Sequence, residues 1–189
     1  MPINPGFVTR GFVARIGNQD EIRLEIRGTP APKGSVTAFA IPGKNGGRPR
    51  AVIAHGAAKK VQSWSAAVRE VAATAVGAVD APPFVAVPIS VVISFRLLRP
   101  SGHWGTGRNA GTLKPSAPSL SSTKPDIDKL ARATLDALTG VVFDDDSRVA
   151  VLTVYKLYAA PGGEGASIHV ARLRHEAEIL DELDFGGAS

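Results

Sequence analysis

Five aspartates of this chain fall into two tight sets. Asp126 and Asp128 flank a single residue where a helical pattern opens, and Asp144, Asp145 and Asp146 are consecutive just ahead of a strand-like run. With Asp136 between them, six aspartates occupy residues 124–149. Carboxylate oxygens are the hard ligands that Mg²⁺ and Mn²⁺ prefer. Crowded carboxylates repel one another unless a cation joins them. With one, they can hold a water nucleophile and offset charge on a phosphate under attack. In an extended backbone, residues i and i+2 project to one side, so Asp126 and Asp128 can point together. Pro125 biases Lys124 toward extended geometry, and Asp128 is placed to cap the helix. Gly140 lets the chain reverse, so the second set is expected to return toward the first. The plain alternative is a helix cap followed by an acidic turn, because D-x-D and D-D-D are weak signals alone. A calcium EF-hand loop is excluded: its glycine and terminal glutamate are missing at their spacing.

Charge around these acids is uneven. Residues 1–124 carry 16 Lys/Arg against 5 Asp/Glu, whereas residues 125–189 carry 6 against 12. A basic majority beside a concentrated acidic segment suits cations for phosphates and carboxylates for metals. It equally describes a basic protein with an acidic tail. The cations placed to meet a DNA backbone are Lys33 in a Pro/Gly loop, Lys44, Arg48 and Arg50 around a hairpin tip, and Lys124, Lys129 and Arg132 beside the D-x-D. Arg99, Arg108 and Lys114 follow in a polar loop, and for each the alternative is a solvated side chain. Such contacts fix position and not sequence. Trp64 reads as core. Trp104, in the polar loop, is the better candidate for stacking on an unpaired base. Phe143 is expected to pack beneath the acidic turn. His55, His103, His169 and His175 share no ligand spacing. The absence of cysteine excludes a disulfide scaffold, a zinc–thiolate site and a cysteine nucleophile. No nucleotide-type Gly-rich motif calls for a small-molecule cofactor. No leader with a cleavage site is evident, and no run approaches the ~18 apolar residues of a spanning helix. A soluble cytoplasmic protein is expected.

The elements that must position these residues can be read from periodicity. Residues 21–27 (EIRLEIR) alternate as a half-buried strand. Residues 28–35 form a Pro/Gly loop, and 36–41 with 49–54 form a hairpin around a basic tip at 42–47. Residues 59–76 read as a helix whose apolar face is Val61, Trp64, Val68, Val71, Ala72 and Ala75. A long strand is predicted over 85–98, then an irregular loop over 99–124. A helix over 128–138 carries the stripe Leu130, Thr134 and Leu138, with Ala131 and Leu135 beside it. Strands follow at 149–158 and 166–173, and an acidic helix at 175–184. This order predicts a small single-domain α/β (α+β) fold: a mixed β-sheet packed with two main helices over 21–173, a flexible segment over 1–20 and an acidic tail over 174–189.

The stretch PDIDKLARATLDALTGVVFDDDSRV resembles the signature of RusA-like Holliday junction resolvases. That family has a D-x-D opening a helix, a D-A-L near its end (here Asp136-Ala137-Leu138) and a D-D before the next strand (here Asp145-Asp146). Pro30-Ala31-Pro32-Lys33-Gly34 is similar to the P-x-P-K-G loop of phage-type members, and the helix from Lys59 resembles their first helix. The resemblance implies a homodimeric, Mg²⁺-dependent endodeoxyribonuclease, with Mn²⁺ a possible substitute, that cuts four-way DNA in recombination and repair. It assigns the metal to Asp126, Asp128 and Asp146, with Asp145 a fourth acid and Asp144 a solvated neighbour. Asp136 is structural, paired with a base. Two positions depart from the pattern: Lys129 stands where members commonly have Asn, and Arg132 where they commonly have a catalytic Lys. Arginine keeps the charge and can hold a phosphate bidentately, but it cannot readily give up a proton. Three other functions stay open: a nuclease for forks or flaps, a non-catalytic junction-binding protein, and a small-molecule phosphohydrolase.

Overall fold

Strict alternation builds the sheet. In a computed structural model that describes residues 13–14, 20–34, 37–41, 50–54 and 58–173, β2 (Glu21–Arg27) buries Leu24 and Ile26 and turns Arg23 and Arg27 outward. β5 (Ile89–Leu98) fully buries Ile89, Val91, Ile93 and Phe95 at every second position. β7 (Gly165–Arg172) does the same with Ala166, Ile168 and Val170. With β1 (Val13–Ala14) and β6 (Val149–Ala159) they form one sheet in the order β1-β2-β7-β5-β6. β5 and β6 are parallel, and every other pairing is antiparallel. β3 (Thr37–Ile41) and β4 (Arg50–Ala54) pair separately as the expected hairpin.

A parallel pair needs a crossover, and α2 (Ile127–Leu138) lies in the one between β5 and β6. It packs with α1 (Ala58–Val76) on the sheet face that carries the buried strand residues. Trp64, Val68 and Ala72 of α1 meet Leu130, Ala133, Thr134, Ala137 and Leu138 of α2 in a continuous core. The Trp64 indole N–H donates to Thr134 Oγ1 at 3.1 Å in its centre. Phe143 is fully buried beneath the acidic turn, as expected.

One expectation needs correction and one refinement. The long strand starts at Ile89, because Ala86 adopts a left-handed backbone (φ 52°) and Pro88 has no amide to give a ladder. Residues 99–124 are a loop, as expected, but a structured one, with two 3-10 turns and isolated bridges. Trp104 and Leu113 face each other across a small hairpin closed by Gly105 N–H to Thr112 O (2.8 Å) and Lys114 N–H to His103 O (3.0 Å). Arg99 donates to Pro118 O at 2.8 Å and lies over the Tyr158 ring, and the His103 ring meets that tyrosine edge-on. These anchors come from β6, far along the chain, so composition alone gave no sign of them. The basic tip at 42–47, Arg48 and the tail at 174–189 lie outside the described residues, as do His55 and His175.

Candidate active site

The approach to α2 is gripped by β6. Ser121 N–H donates to Lys156 O (2.8 Å) and Tyr158 N–H to Ser119 O (2.9 Å), so residues 119–121 run along the strand. The Tyr158 hydroxyl shares a hydrogen bond with Thr123 Oγ1 at 3.2 Å. The Lys156 ammonium donates to the carbonyls of Thr123 (2.5 Å) and Pro125 (2.8 Å). The Lys124–Pro125 peptide is cis. Asp126 follows at the N-cap position of α2, in extended conformation and without a capping bond from its side chain. The expected cap, Asp128, sits instead in the first helical turn.

Both aspartates are exposed. Lys129 donates to Asp126 Oδ2 at 2.7 Å, and this bond, with the charge behind it, holds the Asp126 carboxyl below the ordinary aspartate range and the Lys129 ammonium above its own. Lys124 and Lys156 push Asp126 the same way. Arg132 lies one turn beyond Asp128, exposed, with no ion-pair partner among the described residues. The α2 N-terminus adds its own partial positive charge. Lys129 therefore acts on both carboxylates, Lys124 and Lys156 act on Asp126, and Arg132 follows one turn along the helix.

The second acidic set is organised differently. Asp144 is held by Arg148, whose Nη2 donates to Oδ2 at 2.9 Å and Nε to Oδ1 at 3.1 Å, and that pairing keeps its carboxyl low. Asp145 caps a short 3-10 turn, Asp146–Arg148, by accepting from Ser147 N–H at 2.8 Å; the Ser147 hydrogen bonds lower its carboxyl too. Asp146 is exposed beside it. Asp144 is thus an ion-paired brace and not only a solvated neighbour.

The structure does not bring the two sets together within one chain. Gly140 does reverse the backbone, at φ 78°. But α2 runs antiparallel to β6, with its start beside Lys156 and its end beside the start of β6. At 1.5 Å per helical residue and ~3.3 Å per strand residue, the acidic turn lies roughly 15–20 Å from Asp126. Accordingly, no group of three or more His, Asp or Glu among the described residues could hold a metal ion. Asp126 and Asp128 alone do suit Mg²⁺, which is usually held by one or two carboxylates plus waters and substrate phosphate.

Asp136 is the structural acid expected: Lys33 pairs with its carboxylate, and Arg69 donates to its carbonyl at 3.1 Å. Lys33 also docks its loop on α2 through its N–H to Lys129 O (3.0 Å). For Arg50 only the strand backbone is described. Trp104 is half-buried in its hairpin. Lys156 was missed by sequence reasoning. No local pattern marks it, and only the pairing of β6 with residues 119–121 brings it to the site. A concavity of about 520 Å³ lies on the helix-free face of the sheet among Arg23, Glu25, Ser94, Ser167 and His169, remote from these aspartates.

Among the described residues, no helix is long and apolar enough to cross a membrane. A comparison with curated proteins finds no match. Residues 42–170 match the family described as Endodeoxyribonuclease RusA. That span takes in both acidic sets, α1, α2 and Lys156 and leaves out the Pro30–Gly34 loop. Covering about two thirds of the chain, the match joins the geometry at the mouth of α2 to a single conclusion: this chain belongs to the RusA family of endodeoxyribonucleases.

Proposed function

We propose that this protein is a divalent-cation-dependent endonuclease that resolves four-way DNA junctions as a homodimer by hydrolysing one phosphodiester per subunit. The observation that carries the reading is the exposed Asp126/Asp128 pair at the start of α2, with Lys124, Lys129 and Lys156 acting on Asp126, in a chain of this family. Mg²⁺, with Mn²⁺ as substitute, would supply Lewis acidity at the phosphoryl oxygens and a water of lowered pKa. The chain's own residues do the rest. Asp126 and Asp128 would hold the ion, in place of the Lys129 ammonium that now sits on Asp126. Lys129, Lys124 and Arg132 then face the DNA backbone, and Arg132 can hold a phosphate through two parallel N–H bonds. Its guanidinium keeps its proton, so it orients and neutralises without acting as an acid.

Asp145 and Asp146, in the turn ahead of β6, lie too far from the Asp126/Asp128 pair of their own chain to join it. We therefore assign them to the pair of the partner subunit, so that each centre is completed across the dimer. Two such centres related by a twofold axis match the two symmetric cuts that a junction requires.

The test is cleavage of a labelled four-way junction and a matched linear duplex, with Mg²⁺ or EDTA, by wild type and Asp128→Asn. Paired nicks confined to the junction, lost with EDTA and in the variant, are expected. Junction binding without cleavage in Mg²⁺ and Mn²⁺ would replace this reading with a junction-binding protein. Equal cutting of forks and flaps would widen the substrate class.

A further inference from the structure

Lys156 is a charged residue on a side of β6 otherwise lined by Leu152, Val154 and Tyr158, across from Phe95 of β5. Lys156 is half-buried, and drawing an ammonium even partly out of water is costly unless its donors are met. Here two of the three donors are met by neutral carbonyls, Thr123 O at 2.5 Å and Pro125 O at 2.8 Å. No carboxylate lies within ion-pair reach of Lys156 among the described residues. The side chain thus spans the two peptide groups that lead into Asp126, and its charge is not cancelled locally. Its own carbonyl accepts from Ser121 N–H at 2.8 Å, so one residue grips the same segment by backbone and by side chain.

We propose that Lys156 is a positioning residue of the nuclease centre, fixing the backbone from which Asp126 projects so that the Asp126/Asp128 pair is preformed for its cation. The proposal rests on the metal reading above. Outer partners that orient a ligand are typically worth 10–100-fold in metal affinity. A lysine that merely packed would leave that affinity unchanged. One that contacted phosphate would change DNA binding instead.

The experiment is calorimetric titration of Mn²⁺ into DNA-free protein for wild type, Lys156→Met, Lys156→Arg and Asp128→Asn. Junction affinity in EDTA and the thermal midpoint are measured on the same samples. K156M should weaken Mn²⁺ binding about 10–100-fold while leaving junction affinity within about twofold, because the phosphate-facing cations stay. K156R should recover most of the loss, since guanidinium N–H groups can reach carbonyls of the same turn. In cleavage assays, excess Mn²⁺ should restore the K156M rate. Unchanged Mn²⁺ affinity in K156M overturns the proposal, and so does a loss of junction affinity with metal binding intact. If K156M does not fold, Lys156→Gln takes its place: a Mn²⁺ affinity equal to wild type in both K156Q and K156R overturns it equally. Wild type that binds no Mn²⁺ better than D128N refutes the metal reading itself and the proposal with it. Wild-type binding that K156M retains refutes the proposal alone.

Discussion

Lys129 occupies the nearest carboxylate of the pair that should take the cation. Its ammonium, 2.7 Å from Asp126 Oδ2, is an internal counter-ion that an incoming metal must displace. Lys129→Asn removes that competitor and should tighten Mn²⁺ binding several-fold at low salt. The gain should shrink as salt screens the exposed pair. Titration at two ionic strengths checks both parts, and equal affinity in K129N and wild type would contradict the displacement argument. At this scale the sequence was informative where spacing is local. Asp126, Asp128, Asp145 and Asp146 stand out because chemistry-bearing residues recur within a few positions. Lys156 does not, because what makes it important is a contact with residues some thirty positions earlier, brought to it by strand pairing.

Among elements, α1 and α2 are joined at the surface by the Arg69 bond to the Asp136 carbonyl and in the apolar interior by the Trp64–Thr134 bond. Trp64 is 2% exposed and Thr134 is fully buried, and the threonine also returns its hydroxyl to Leu130 O at 3.0 Å. Thr134→Val keeps the shape and strands the indole N–H, so it should cost about 1–3 kcal/mol. Urea denaturation with an unchanged m-value would read this as pure stability. Junction affinity should be unaltered, because the bond lies behind the site. Elements were legible wherever one period held over a full turn or strand, as in EIRLEIR or the Leu130–Thr134–Leu138 stripe. They were not legible over residues 99–124. Gly, Ser and Pro usually punctuate loops, but here Arg99 and His103 are ordered against Tyr158, whose position depends on the sheet.

At the scale of the molecule, the distance between the acidic sets makes a prediction about subunits. If Asp128 and Asp146 meet only across a dimer, Asp128→Asn and Asp146→Asn proteins are each inactive, yet mixing them should recover single nicks. The mixed dimer carries one centre with both substitutions and one with neither. Co-expressed, differently tagged variants purified through both tags give the measurement. No recovery in a verified mixed dimer would return both acids to a single chain. The helix-free face of the sheet makes a separate prediction. Glu21 accepts from His169 at 2.8 Å and pairs with Arg23, and these bonds, His169 first, hold its carboxyl below the ordinary glutamate value. A carboxyl lowered by folding stabilises the fold above its unfolded pKa and loses that contribution as pH falls through its folded one. Thermal midpoints should therefore fall as pH drops below about 4.3, and less steeply in Glu21→Gln than in wild type.

The hydrogen bonds that seat residues 119–121 along β6 have one further consequence. β6 is the outermost strand of the sheet, and a bare edge is a template on which a second chain can add a strand. Ser119 and Ser121 occupy that edge near Lys156 and Tyr158, and Pro118 and Pro125 bracket the cover. The segment that delivers Asp126 is thus also a guard against self-association. Substitutions that loosen it should reveal themselves in concentrated stocks as light scattering and sedimenting fibrils, before any assay on DNA is run.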